Sequence, residues 1–308
     1  MRGALVCAAL TANTIACCLP LFVLAAVKPA SRAPAHRRYL ARGLTSIAEA
    51  WIAINTRILR LRRPGLMEVR GLEGLARNSW YLVIANHRSW SDVILLQAAF
   101  NRRIPFLRFF IKRELKWFPF LGIAFWALDM PFMTRYSKSY LAKHPEKKGQ
   151  DLETAQAASV RFRDMPSAAI NFVEGTRFTA EKQASRQSAY RHLLPPRSGG
   201  VASVLAGMGD RLTAILDVTI VYRGAEPGFW DLCRGTLGEV LIEVRPRAVE
   251  SWMLDGDYAR DRKYRSRFHR WLKDVWAEKD ERIAATLGAH RPPAGPRGRR
   301  SGISQLRC

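Results

Sequence analysis

Residues 86–92 read Asn-His-Arg-Ser-Trp-Ser-Asp, and within them His87 and Asp92 are side chains suited to moving a proton. An imidazole that shares one ring nitrogen with a carboxylate keeps the other free as a base, which suits activation of an alcohol. Residues five apart on a continuous helix point about 140° away from each other, so the pair meets only if the chain bends between them. His269 and Asp274 have the same spacing, yet they fall on a helical stripe of Phe268, Trp271, Leu272, Val275 and Trp276, where they must diverge. Spacing alone therefore defines no site. Ser89 and Ser91 raise the alternative of a serine hydrolase, but Gly-x-Ser-x-Gly is absent and both serines are too close in sequence to His87 for a strand-elbow arrangement.

A second group of chemically able residues is Asn-Phe-Val-Glu-Gly-Thr-Arg at 171–177. The planar fork of Arg177 suits a phosphate, to which it can donate two hydrogen bonds at once. Gly175 permits close backbone approach or a positive φ. Glu174 is placed to hold Arg177 or a substrate hydroxyl, and Thr176 adds a hydroxyl. Taken singly, this is also the composition of an ordinary turn with a structural ion pair.

Both groups need elements that bring them together. Short β-like runs alternate with helical stretches: 79–85, then a helix from about Ser91, later 168–173, and 201–208 before 213–222. Each group thus follows a β-like run, at the carboxyl end where open α/β sheets place their ligands. Residues 238–245 alternate Val240, Ile242 and Val244 with Glu239, Leu241, Glu243 and Arg245, the pattern of a strand near an edge with one partly wet face. Apolar residues at 44, 47, 51, 54, 58 and 61 form one face of a helix, packed on the domain or lying in a bilayer interface. Residues 117–128 are aromatic-rich but too short to span a bilayer; core packing is the default expectation and contact with lipid the alternative.

Residues 4–27 carry no charge, enough to cross a hydrocarbon core of about 30 Å. A signal peptide has a shorter apolar run with its positive charge in front, whereas here Lys28, Arg32, Arg37, Arg38 and Arg42 follow, so an uncleaved anchor with the remainder in the cytoplasm is expected. Fifty Lys and Arg against 26 Asp and Glu leave a net charge of +24, which favours anionic partners without choosing among them. The five cysteines form no framework: Cys7, Cys17 and Cys18 lie in the apolar segment, leaving Cys233 and Cys308. A non-catalytic basic protein that organises anionic membrane or nucleic acid fits the charge, but gives no reason for two constellations at strand ends.

The two groups together resemble the glycerolipid acyltransferase family, which includes the 1-acylglycerol-3-phosphate acyltransferases. Asn86, His87 and Asp92 match its Asn-His-x4-Asp motif, and Phe172, Glu174, Gly175, Thr176 and Arg177 match Phe-x-Glu-Gly-Thr-Arg, with Val173 where proline is usual. Lys112, in Phe109-Phe110-Ile111-Lys112, resembles the block thought to help hold the acceptor. Gly122 with Phe132-Met133-Thr134-Arg135 resembles the glycine-to-arginine block, and 216–222 the last block without its usual proline. The wording is most like a bacterial inner-membrane branch.

The resemblance implies an α/β fold, a mixed, largely parallel sheet covered by helices, preceded by an N-terminal membrane helix and an amphipathic helix. Its expected organisation is an anchor at 1–28, a linker and interfacial helix at 29–65, the acyltransferase domain at 66–287 and a disordered basic tail at 288–308. The implied activity moves a fatty acyl group from acyl-CoA or acyl carrier protein to the free hydroxyl of a lysophospholipid, with 1-acylglycerol-3-phosphate first among acceptors. His87 and Asp92 are then catalytic, while Asn86, Lys112, Arg135, Glu174, Gly175, Thr176 and Arg177 bind substrate. No metal, permanently bound cofactor or nucleic-acid partner is expected, and the site faces anionic membrane from the cytoplasmic side of the inner membrane.

Overall fold

The computed structural model describes residues 2–31, 33–118, 120–134, 138–147, 149–224 and 228–289. Arg135 lies outside the described residues, as does the expected basic tail from residue 290 onward. Two long helices come first, α1 (Arg2–Val27) and α2 (Pro34–Arg62). Proline costs nothing in the first turn of a helix, where its missing N–H would be unpaired anyway, and α2 begins on Pro34, ten residues before the apolar stripe expected from Leu44.

The stripe itself is displaced. Leu40, Leu44, Ala48, Ile52 and Leu59 are buried, Ile47, Trp51 and Ile58 are half-buried, and Leu61 is exposed. The reason is that α2 is covered on two sides, by the domain and by α1. Asn13 of α1 donates to the Asn55 side chain at 2.8 Å and to the Trp51 carbonyl at 3.1 Å, and the Trp51 indole donates to Thr14 Oγ1 at 3.1 Å.

The chain continues through β1 (Met67–Arg70), β2 (Trp80–Ala85), α3 (Ser91–Phe100), β3 (Leu107–Phe109), β4 (Ile111–Lys112), α4 (Leu121–Ala127), β5 (Phe132–Met133) and α5 (Lys138–Lys143). Next come α6 (Gln150–Val160), β6 (Ser167–Phe172), α7 (Ala180–Ser185), α8 (Ser198–Met208), β7 (Ala214–Arg223), α9 (Phe229–Arg234), β8 (Glu239–Arg247) and α10 (Arg262–Ala289). The main sheet has the order β1-β8-β7-β2-β6-β3, and β4 pairs with β5 apart from it.

In the main sheet β3, β6, β2 and β7 run parallel, β8 is antiparallel to β7, and β1 is parallel to β8. The mixed, largely parallel sheet is therefore present, with only β1 outside β8 at that edge. Central strands covered on both faces read as near-continuous apolar runs, and Tyr81 to Ala85 are all buried. Tyr81, Val83 and Ala85 pack toward α1, α2 and α3, while Leu82 and Ile84 pack toward α8 and α10.

The aromatic run at 117–128 departs from the expectation of core packing. Trp117 is 80% exposed, Phe118 56%, Phe120 65% and Trp126 45%. The short α4 buries only its small residues Gly122 and Ala127; a Cβ on Gly122 would stand 2.0 Å from the Lys116 carbonyl oxygen. The close approach seats the small side of the helix and turns its large side chains outward. Phe22 of α1 stacks on Phe120 with 6.2 Å between ring centres, so this surface continues into the outward residues Leu19 and Val23 of α1.

Candidate active site

The parallel strands β2 and β6 pair Ala85 with Phe172 at their carboxyl ends, so the two motif loops leave the sheet side by side. Three bonds zip the loops together: Val173 N–H to the Ala85 carbonyl at 3.2 Å, His87 N–H to Glu174 Oε1 at 3.1 Å, and Phe178 N–H to the His87 carbonyl at 2.7 Å. The chain turns after Ser89 and enters α3 at Ser91, supplying the bend that the His87 and Asp92 spacing requires.

His87 Nδ1 lies 2.8 Å from Asp92 Oδ2. The same oxygen accepts the N–H groups of Arg88 at 2.6 Å and Ser89 at 2.9 Å, and Oδ1 accepts the Tyr222 hydroxyl. An ionised carboxylate has acceptor capacity for about four such bonds, and Asp92 is fully buried among them. Because Nδ1 faces an acceptor, the neutral imidazole carries its proton there and leaves Nε2 with the lone pair. The ring stacks on Phe172 at 4.0 Å, which fixes its plane, and its side chain keeps 16% of its surface exposed. Burial pushes the Tyr222 phenol well above its ordinary range, and the adjacent Asp92 charge pushes it further. Tyr222 thus stays protonated and donates to Asp92.

Three sequence expectations change here. Asn86 does not face a substrate: it is fully buried, donating to the Ile220 carbonyl at 2.9 Å and accepting from the Ile220 N–H at 2.8 Å, which staples β2 to β7. Glu174 does not hold Arg177; it is fully buried, with Oε1 on the His87 N–H and Oε2 on the Leu194 N–H at 3.1 Å. Burial pushes its carboxyl up to about 7, against the opposing pull of those two N–H groups and of Lys279 and Arg88. Lys112 lies on the separate β4 strand, exposed and paired with Glu114 at 3.2 Å. The isolated motif could not show that two of its polar side chains were already spent on backbone.

Arg177 is exposed and lies over the Trp90 ring at 4.8 Å. Gly175 has φ +69°, the left-handed region that glycine enters freely, and a Cβ there would lie 3.2 Å from Arg197 Cδ. Thr176 accepts from Lys182 Nζ at 3.0 Å. Arg88, which lies over Phe178 at 4.5 Å, and Arg197, against the Gly175 turn, thus join Arg177 along the second motif loop. Sequence reasoning missed Tyr222 and Arg197: the first ends the 216–222 block, 130 residues from Asp92, with nothing to single out its hydroxyl, and the second follows Pro195-Pro196 outside any motif. Ser89 and Ser91 are buried; the Ser89 hydroxyl accepts the Ser91 N–H at 3.1 Å and the Ser91 hydroxyl faces the Gly228 carbonyl at 3.5 Å. The decoy His269 faces the Ser198 hydroxyl at 3.4 Å, away from Asp274.

A histidine and carboxylate at one parallel strand end, zipped to an arginine loop at the next, define a base-and-anion site on an α/β sheet. The family model described as Acyltransferase matches residues 66–223, which contain both loops. The chain belongs to this family, the glycerolipid acyltransferases. It is 30% identical over 217 residues to 1-acyl-sn-glycerol-3-phosphate acyltransferase 3 of Arabidopsis thaliana, covering 66% of this chain and 52% of that one. It is 26% identical over 217 residues to 1-acyl-sn-glycerol-3-phosphate acyltransferase delta of Mus musculus, covering 65% and 51%. The chain thus spans about half the length of these relatives. Among solved structures, PlsC of Thermotoga maritima, a 1-acyl-sn-glycerophosphate acyltransferase, aligns over 88% of this chain and 97% of its own at 16% identity and a TM-score of 0.48.

Proposed function

We propose that the chain transfers a fatty acyl group from a thioester, acyl-CoA or acyl carrier protein, to the free hydroxyl of a lysophospholipid, with 1-acylglycerol-3-phosphate as the first acceptor to test. The observation that carries this reading is His87: its Nδ1 is tied to Asp92 while Nε2 makes no hydrogen bond among the described residues, beside the exposed Arg177. The names of the relatives favour the same acceptor.

His87 Nε2 takes the proton of the acceptor hydroxyl as its oxygen attacks the thioester carbonyl. The tetrahedral adduct collapses to the new ester, and the departing thiolate recovers the proton from the imidazolium. Asp92 stabilises the imidazolium between those steps. An alcohol attacking a thioester is already an activated exchange, so no enzyme nucleophile is needed. Arg177, with Arg197 and Arg88 beside it, holds the acceptor phosphate, and this prior ordering aligns hydroxyl with base.

The membrane reading rests on α1. Its 26 residues extend about 39 Å, yet its first turns lie against α9, its middle bonds to α2, and Lys28 just beyond its end pairs with Asp129 at 2.6 Å. A helix held to one domain along its whole length supports insertion into one leaflet with its outward residues in lipid, in place of an anchor that leaves the domain and crosses. A cytoplasmic supply of either thioester donor supports a site on that face of the inner membrane.

The test offers labelled acyl-CoA or acyl carrier protein and a panel of lysophospholipids to membranes bearing wild type, His87→Ala or Arg177→Ala. His87→Ala should lose about 10²–10⁴-fold in rate. A folded and fully active His87→Ala chain would overturn the mechanism. Arg177→Ala should raise KM for phosphate-bearing acceptors, and an unchanged KM moves the phosphate elsewhere.

A further inference from the structure

A sizeable cavity lies away from His87. It has a volume of about 730 Å³ and joins a neighbour of about 580 Å³ through the shared residues Arg38, Arg108, Asp164 and Met165. Together they are bounded by the start of α2, the link from α4 to β5, and the residues just before β2, β3 and β6. His87 follows the opposite ends of these parallel strands, and β2 alone sets about 20 Å between the two places.

The lining holds seven basic side chains against three acidic ones. The acids are largely spent: Asp129 pairs with Lys28 at 2.6 Å and lies 4.0 Å from Arg108, and Glu49 takes Arg77 in a two-pronged pair at 2.7 and 2.8 Å. Arg38, Arg42 and Arg161 are exposed and make no ion pair or hydrogen bond among the described residues. At the base, Arg108 is only 4% exposed, donates to the Leu128 carbonyl at 2.6 Å and leaves its Nε unpaired. Asp129 and the Phe162 ring, 5.4 Å away, compensate this buried guanidinium only in part, and an anion at the unpaired Nε would complete its surroundings.

The rim shows where that anion comes from. Trp126 lines the cavity and belongs to the exposed aromatic run that continues into the outward face of α1. An amphipathic ring beside an arginine-rich cavity is the arrangement that meets the phosphate level of a bilayer. We propose that this cavity binds the phosphate headgroup of an intact anionic phospholipid, at a site separate from the reaction centre and not a subsite for the acceptor. A zwitterionic headgroup is disfavoured, because its choline would lie among unpaired guanidinium groups. The inference rests on the membrane habitat of the protein and not on the chemistry of His87.

The full chain in non-ionic detergent is titrated calorimetrically with dihexanoyl phosphatidylglycerol, dihexanoyl phosphatidylcholine and inorganic phosphate. The chains compared are wild type, Arg38→Gln/Arg161→Gln and Arg177→Ala. Wild type should bind the phosphatidylglycerol saturably and the other two weakly or not at all. Affinity should fall at least ten-fold in the double variant and less than two-fold in Arg177→Ala. Equal binding by the double variant overturns the site, and loss in Arg177→Ala alone assigns the lipid to the reaction centre. Inorganic phosphate binding as tightly as the lipid overturns the lipid assignment. Should the double variant prove unfolded by circular dichroism, Arg161→Gln alone carries the same comparison.

Discussion

Asp92 closes the turn into α3 through the N–H groups of Arg88 and Ser89, and it also fixes the ring of His87. Asp92→Asn separates these two roles. The amide oxygen can keep the N–H bonds and the Tyr222 hydroxyl can turn to accept from the new NH2, so the turn survives while the charge that stabilises imidazolium is lost. Steady-state assays should show kcat down by about 10²–10⁴-fold with the melting temperature little changed; activity above a tenth of wild type would contradict the relay. Glu174 makes a different prediction, because its folded carboxyl titrates near 7 while an unfolded one titrates near 4.5. The native state then binds the extra proton, so this group's stabilising contribution is full below about 4.5 and is lost as pH rises through about 7. The shift corresponds to about 3 kcal/mol. Melting curves from pH 4.5 to 8 should slope less in Glu174→Gln than in wild type, and parallel slopes would rule out a buried neutral acid.

At the scale of elements, the sequence resolved what has strong periodicity. The runs at 79–85, 168–173 and 213–222 fall on β2, β6 and β7, because strands buried on both faces must be apolar throughout. It could not resolve β1, four residues of alternating character, or β3, three residues around a buried arginine. The face of α2 was misplaced because a second helix covers what a lone amphipathic helix would leave wet. That apposition is testable with native side chains, since the Cys7 and Cys233 thiols lie against each other between α1 and α9. Cys233 is fully buried, so it should resist a soluble maleimide in membranes and react only after denaturation. Ready labelling of native Cys233 would mean that α1 leaves the domain.

For the molecule as a whole, α1 is part of the packed core. Leu21 and Ala25 are buried in the same cluster as Leu44 and Ile52 of α2, and Phe22 and Leu24 pack against it. Removing residues 2–31 should therefore yield aggregated or inactive protein even in detergent, read by size-exclusion chromatography and acyl transfer; a monomeric, fully active truncation would show that α1 is a dispensable tether. The sequence revealed the helix but not its course, since hydropathy reports length and not the neighbours of each turn. The placement of α9 has a kinetic consequence. The first turns of α1 rest on α9, and the Gly228 carbonyl at the start of α9 faces Ser91 beside the site. Under the proposed function, a lipid acceptor alongside α1 reaches His87 by sideways movement within a leaflet. The acceptor concentration that governs rate is then its mole fraction in the surface, so adding inert phospholipid at constant bulk lysolipid slows turnover by surface dilution.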